Sequence, residues 1–208
     1  TGDFEFRIHC LHSKRPLPRN LSDLDRMRDE QKLITRCQNG DIQAFRELVE
    51  RYEDRIYALA CSIVGDPEAA KDVAQEAFIR AYKALNRFEG KSSFYTWLYR
   101  IATNVCLNAA QKEQRRIDSV SLDGLQEKHD ISAERFFATE APENDIERID
   151  LRQQIDKVLE HLSPDHRAVV VLKDIEDLSQ EEIADTLGVS VGTIKSRLSR
   201  ARAHLRDL

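Results

Sequence analysis

The chain has 208 residues, 41% of them hydrophobic and 33% charged, with only 7 Gly and 5 Pro. That is room for one large domain or two small ones, and it argues against a turn-rich all-β fold. The formal net charge of −5 is unevenly spread, so it does not exclude a polyanionic partner.

Residues 1–24 show no clear period, and Arg15-Pro16-Leu17-Pro18 opposes helix. They read as a flexible extension without the apolar core of a signal peptide. His9, Cys10 and His12 lie close together, but no second ligand pair follows at a metal-site spacing. The four cysteines (Cys10, Cys37, Cys61 and Cys106) form no CxxC pair. They read as thiols of a reducing compartment, and the chain is expected in the cytoplasm. No apolar run approaches the roughly 20 residues that span a bilayer, so no membrane insertion is expected.

From Leu24 to Leu85 the pattern is helical. Leu33, Ile34 and Cys37 recur at helical spacing, and Asn39-Gly40-Asp41 then breaks the helix. Phe45, Leu48, Val49, Tyr52, Ile56, Leu59, Ile63 and Val64 form an amphipathic stripe. Gly65-Asp66-Pro67 predicts a stop and a restart, with Asp66 as the cap and Pro67 in the first turn. Val73, Ala77, Phe78 and Ala81 supply the next apolar face. It leaves Asp72, Gln75, Glu76 and Arg80 for solvent or a partner. A polar loop, 86–93, precedes a helix that Ser93 can cap. That helix, or pair of helices, is expected from Phe94 to about Arg116, with Phe94, Leu98, Ile101 and Val105 inward. Trp97, Arg100, Asn104, Asn108 and Gln111 fall on a neighbouring stripe.

Residues 90–116 carry five basic residues against Glu113, whereas 117–150 carry ten acidic and three basic ones. Residues 117–144 read as an acidic linker, 145–162 as helix, and Ser163-Pro164-Asp165 as the start of another. Leu178 to Arg206 has the form of a helix-turn-helix. Ser179-x-x-Glu182 is a capping box, Gly188 ends the first helix, and Ser190 can cap the second. Ile194, Leu198, Ala201 and Leu205 share its buried face. The opposite face offers Gly192, Lys195, Ser196, Ser199, Arg200 and Ala203, with Thr193, Arg197 and Arg202 on its flanks. Between 186 and 206 there are five basic residues and no acidic one. Small side chains admit close approach to a major groove, and an Arg fork can read guanine.

No nucleophile–base pair or Gly-rich phosphate loop appears, and His129, His161, His166 and His204 are scattered. No enzyme activity, metal or cofactor is expected. A helix-turn-helix alone would equally suit a stand-alone regulator with a sensing or dimerisation half.

The segment 72–82, Asp-Val-Ala-Gln-Glu-Ala-Phe-Ile-Arg-Ala-Tyr, separates these readings together with 88–104, Phe-Glu-Gly-Lys-Ser-Ser-Phe-Tyr-Thr-Trp-Leu-Tyr-Arg-Ile-Ala-Thr-Asn. It closely resembles region 2 of extracytoplasmic-function sigma factors. The tail, with Val191-Gly192-Thr193-Ile194-Lys195-Ser196-Arg197, resembles their region 4. The resemblance spans about 25–206. It implies an all-α chain of two small helical domains, region 2 at 25–116 and region 4 at 145–208, joined by the acidic linker.

It further implies docking of Asp72, Gln75, Glu76 and Arg80 on the β′ coiled coil of core RNA polymerase, with region 4 meeting the β flap. Phe88, Lys91, Ser92, Trp97, Arg100, Asn104 and Asn108 are then expected at the −10 element, where the 86–93 loop holds a flipped base. Thr193, Lys195, Ser196, Arg197, Ser199 and Arg200 are expected at the −35 element. Trp97 could stack a base or pack at the core edge, and the linker could mimic nucleic acid in the polymerase channel or serve as a solvated spacer. An anti-sigma factor is the further partner that the resemblance implies.

Overall fold

The computed structural model describes residues 21–122 and 154–207. The expected extension before residue 21, the His9–Cys10–His12 group, His129, most of the acidic linker and the start of the helix expected from 145 lie outside the described residues. Among the described residues the structure is helical and contains no strand.

Helix α1, Leu21–Gln38, starts at Leu21 rather than Leu24. It buries Leu33, Ile34 and Cys37. The break after it follows the expected chemistry. Gly40 takes φ +92°, and Asp41 caps α2, Ile42–Val64, by accepting from the Gln43 and Ala44 amides. Arg36 fixes that carboxylate from the preceding helix at 2.8 Å, and Asp41 is held below the usual carboxylate range first by the Ala44 amide and then by Arg36. Gly65 (φ +86°) closes α2 in the left-handed region. Asp66 caps α3, Pro67–Ala84, with Pro67 in the first turn.

A 3₁₀ turn, Leu85–Arg87, leads into the loop. The Gln38 amide braces it by donating to the carbonyls of Leu85 and Phe88 at 3.0 and 3.1 Å. Ser93 caps the next helix by accepting from Thr96 N at 3.1 Å. That helix, α4, spans Phe94–Leu122 and so continues past the expected end at Arg116. Residues 117–122 contain neither Gly nor Pro, and Gln114 bonds Asp118 at 2.9 Å one turn on, so nothing local stops it.

The second half comprises α5 (154–159), α6 (Pro164–Val170), a π-helical turn (Val171–Ile175), α7 (Gln180–Leu187) and α8 (Val191–Asp207). Pro164 opens α6, as expected, but the widened turn after it was not signalled by the sequence. Wholly buried Leu159, Val169, Leu172, Ile183 and Ile194 fill this half, and Leu48, Ile56, Ile63, Leu98 and Ala102 fill the first. Burying each large aliphatic chain stabilises the fold by about 1.5–3 kcal/mol. The two halves share one continuous core. Helix α6 packs on α2 and α4, and α7 packs on α4.

Candidate nucleic-acid interface

Helix α8 is positioned by local chemistry on both sides of its turn. The capping box of α7 is complete: Glu182 N donates to Ser179 Oγ, and Ser179 N donates to Glu182 Oε2 at 2.9 Å. Gly188 ends α7 at φ +65°, and Ser190 Oγ accepts from Thr193 N at 3.1 Å. Burial of Ile194, Leu198 and Ala201 then rotates Lys195, Ser196, Ser199 and Arg200 to the outside, where all four are exposed. Thr193 is half-buried, its hydroxyl 2.9 Å from that of Ser190. Arg197 is also half-buried, and its Nη2 pairs with Asp165 Oδ1 at 3.0 Å. Arg202 pairs with Asp174 at 2.6 Å. Four of the expected −35 residues, Lys195, Ser196, Ser199 and Arg200, therefore share the exposed face, while Thr193 and Arg197 lie half-buried at its flanks and Arg197 already has an internal carboxylate.

On α4, Arg100, Asn104 and Asn108 are exposed along one stripe. Arg100 Nη2 donates to the carbonyl of Asp185 at 2.9 Å. Asn104 Nδ2 lies 2.9 Å from the Arg100 carbonyl and 3.3 Å from that of Thr186. Trp97 is half-buried, with its ring centroid 5.1 Å from Phe88 and 5.6 Å from Phe94, which places it at the core edge. Phe88 departs from expectation. It is only 8% exposed and packs edge-on against Phe94, so it anchors the loop from inside instead of offering a surface. The apolar ring finds more to bury against Phe94 and Trp97 than in solvent. Lys91 and Ser92 remain exposed on the loop, with Lys91 ion-paired to Glu89.

Around the base of α4 lies an aromatic network. The Arg55 guanidinium sits 4.1 Å above the Tyr95 ring, and the Tyr95 hydroxyl donates to Glu176 at 2.8 Å. Burial first, and then the Glu176 charge, push the Tyr95 pKa up, so it acts as a neutral donor.

The third surface is the outer face of α3. Asp72, Gln75 and Arg80 are exposed, and Glu76 is half-buried. Arg80 Nε meets Glu76 Oε1 at 2.7 Å. Two apolar residues join them: Ile79 is 41% exposed and Tyr82 42%. The Tyr82 ring also touches Phe45 at 4.9 Å. Sequence reasoning missed both. The signal was present, because Gln75, Ile79 and Tyr82 stand at i, i+4 and i+7 and so share a stripe. Beside it, a groove of about 450 Å³ between α2 and α3 has Val49, Tyr57 and Phe78 among its walls and Glu53, Glu68 and Gln75 at its rim.

Residues 48–116 match the family Sigma-70 region 2, and residues 152–205 match Sigma-70, region 4. The ECF RNA polymerase sigma-E factor of Escherichia coli (strain K12) is 40% identical over 173 residues, covering 83% of this chain and 90% of that protein. The chain is an extracytoplasmic-function sigma factor of the sigma-70 family. It is thus a transcription-initiation factor, not an enzyme. The RNA polymerase sigma-H factor of Pseudomonas aeruginosa is 38% identical to this sigma factor over 173 residues, with the same coverage of 83% and 90%.

Among solved structures, CnrH in complex with the cytosolic domain of CnrY superposes with a TM-score of 0.57 at 26% identity, covering 86% of this sigma factor and 96% of CnrH. The sigma factor RpoE of Bartonella quintana, in complex with the anti-sigma factor NepR, gives 0.57 at 25% identity, covering 80% and 96%. Among the described residues no helix of the sigma factor is long and apolar enough to cross a membrane. None of its described His, Cys, Asp and Glu residues form a group of three or more that could hold a metal ion.

Proposed function

We propose that this sigma factor divides promoter recognition between its two halves and meets polymerase with a third surface. The outer face of α8 reads the −35 element. Exposed Arg200 and Lys195 supply a guanine fork and phosphate contacts, while Ser196 and Ser199 keep the approach close. The α4 stripe of Arg100, Asn104 and Asn108 meets the −10 element, and Lys91 and Ser92 border the loop that holds a flipped base. Phe88 and Trp97 support that loop from behind.

Core polymerase docks on α3. Asp72, Gln75, Glu76 and Arg80 provide charge and hydrogen bonds, and Ile79 and Tyr82 provide the apolar contact that most interfaces bury at their centre. The sigma factor works in the cytoplasm with the β′ coiled coil and β flap as its polymerase contacts. The likeness to RpoE, solved with the anti-sigma factor NepR, supports control by an anti-sigma factor. Co-purification from native cells that returned polymerase and no inhibitor would count against that control.

The observation that carries the reading is the exposed α3 face, combining Gln75, Glu76, Ile79 and Tyr82, which a stand-alone helix-turn-helix regulator has no use for. Run-off transcription with core enzyme on a library of start sites tests it. The expected result is start-site selectivity that core alone lacks. Failure to give selectivity on any template would overturn it.

A further inference from the structure

The corner where α6 meets α8 holds two imidazoles that the −35 reading leaves unused. Arg197, Arg200 and His204 stand at i, i+3 and i+7 of α8, so they share a stripe along the edge of its exposed face. Helix α6 packs on α8, and the pairing of Asp165 Oδ1 with Arg197 Nη2 at 3.0 Å brings the start of α6 to that stripe. His166 is the next residue. It is half-buried, whereas Arg200 and His204 are exposed.

The charged groups that act on the His166 ring are Arg197, Arg200 and His204 from α8 and Asp165 from its own helix. That carboxylate is already committed, to Arg197 through Oδ1 and to the neutral Gln111 amide of α4 through Oδ2 at 3.3 Å. Helix α2 meets α6 at Arg167, whose guanidinium is committed to the carbonyls of Leu159 and Ile63. Burial, and then Arg197 and Arg200, hold the His166 pKa below 6.5, so the ring is mostly neutral at pH 7. A phosphate seated against Arg200 brings negative charge to the same corner. It reverses the field on the ring and favours the imidazolium, which donates a charge-assisted hydrogen bond.

We propose that His166, backed by His204, is a backbone-phosphate contact of the −35 surface, and that the sigma factor takes up a proton there as it binds DNA. The inference rests on the assignment of α8 to the −35 element given above. The phosphate is shared by Arg200 and the His166 ring at the edge of α8, while Lys195, Ser196 and Ser199 hold the centre of the face. Such a contact carries no sequence information, so it raises affinity for any duplex and makes that affinity depend on pH. The bound ring keeps its proton to a higher pH than the free ring. Binding therefore tightens as pH falls through the bound value and levels off below the free one. One proton gives at most about a tenfold change per pH unit.

The test uses holoenzyme formed with the full chain, titrated at pH 6 and pH 8 with two fluorescent duplexes. One carries the −35 region of a library-selected promoter and the other is random. The parent should bind both duplexes more tightly at pH 6, by roughly fivefold. His166→Gln should lose most of that difference, and His204→Gln a smaller part. His166→Arg, charged at both pH values, should bind at pH 8 about as tightly as the parent does at pH 6. At pH 6 the salt dependence of binding should be shallower for His166→Gln than for the parent, by about 0.9 in log–log slope for one lost phosphate contact. Calorimetry in two buffers of different ionisation enthalpy should show fewer protons taken up by His166→Gln than by the parent. The same pH dependence in the parent and His166→Gln would overturn the proposal. So would a loss of binding that is equal at both pH values, because a neutral contact does not titrate. Arg200→Ala holoenzyme that binds both duplexes like the parent would sink the assignment of α8 itself, a failure distinct from the other two.

Discussion

Arg167, on α6, donates from Nη1 to the carbonyl of Ile63 at the end of α2, 104 residues away in sequence, at 3.1 Å. The same guanidinium donates to the carbonyls of Leu159, Glu160 and Leu162. It is only 9% exposed, and burial lowers its pKa. Gly65 makes room for it. A Cβ on Gly65 would lie 2.9 Å from Nη1, and its φ of +86° disfavours any side chain. One cation thus satisfies carbonyls at the ends of α2 and α5 and fastens the two halves together.

Arg167→Met should therefore destabilise the chain by roughly 3 kcal/mol, because several buried acceptors lose their donor at once. Gly65→Ala should cost about 1–2 kcal/mol from backbone strain plus the clash. In the Arg167→Met background the clash vanishes and only the strain persists, so the two losses should sum to less than their parts. Urea denaturation of the four chains of this cycle measures all three terms.

His166 should make the fold acid-sensitive. Burial, and then the Arg197 and Arg200 charges, lower its pKa below the ordinary 6.5. The folded chain then binds fewer protons here than the unfolded chain, so stability is retained above 6.5 and lost as pH falls toward the folded value. His166→Gln should flatten the thermal-midpoint profile on the acid side of 6.5 relative to the parent. An identical acid slope in both chains would remove His166 as the cause.

Arg200→Ala should weaken specific −35 duplex binding by the chain in its holoenzyme by roughly 1–3 kcal/mol and relax discrimination at one base pair. A competition assay with random duplex separates the roles. If specific and random binding fall together, Arg200 serves a phosphate and not a base.

On the polymerase face, Glu76→Arg reverses the charge beside Arg80, and Ile79→Asp places a carboxylate where the apolar contact is proposed. Both should reduce capture of core enzyme in a pull-down, by about tenfold or more for a buried central contact. Both side chains are only partly buried in the free chain, so folding by circular dichroism should be unchanged. Unchanged capture by both would move the docking surface off α3.

Much of this structure is local chemistry and was legible in the sequence. Asp66-Pro67, the Ser179–Glu182 box, Gly188 and Ser190 start and stop their helices as the residues dictate, because a cap needs only neighbours within a turn. The inward stripes of α3 and α8 follow likewise from the 3.6-residue period. What the period cannot supply is the partner of a residue on the other half. Phe88 turned inward because Phe94 and Trp97 lay within reach. Arg167 became buried only because α2 ends beside it. Arg100 meets Asp185 across 85 positions of sequence, a separation over which helical spacing carries no information. The sequence by itself determined most of the helices, their caps and the polar residues of three faces, but not the π-helical turn, the run of α4 past Arg116 or the apolar part of the α3 face. Only tertiary packing decided which of those faces meets the other half of the chain and which is left for a partner.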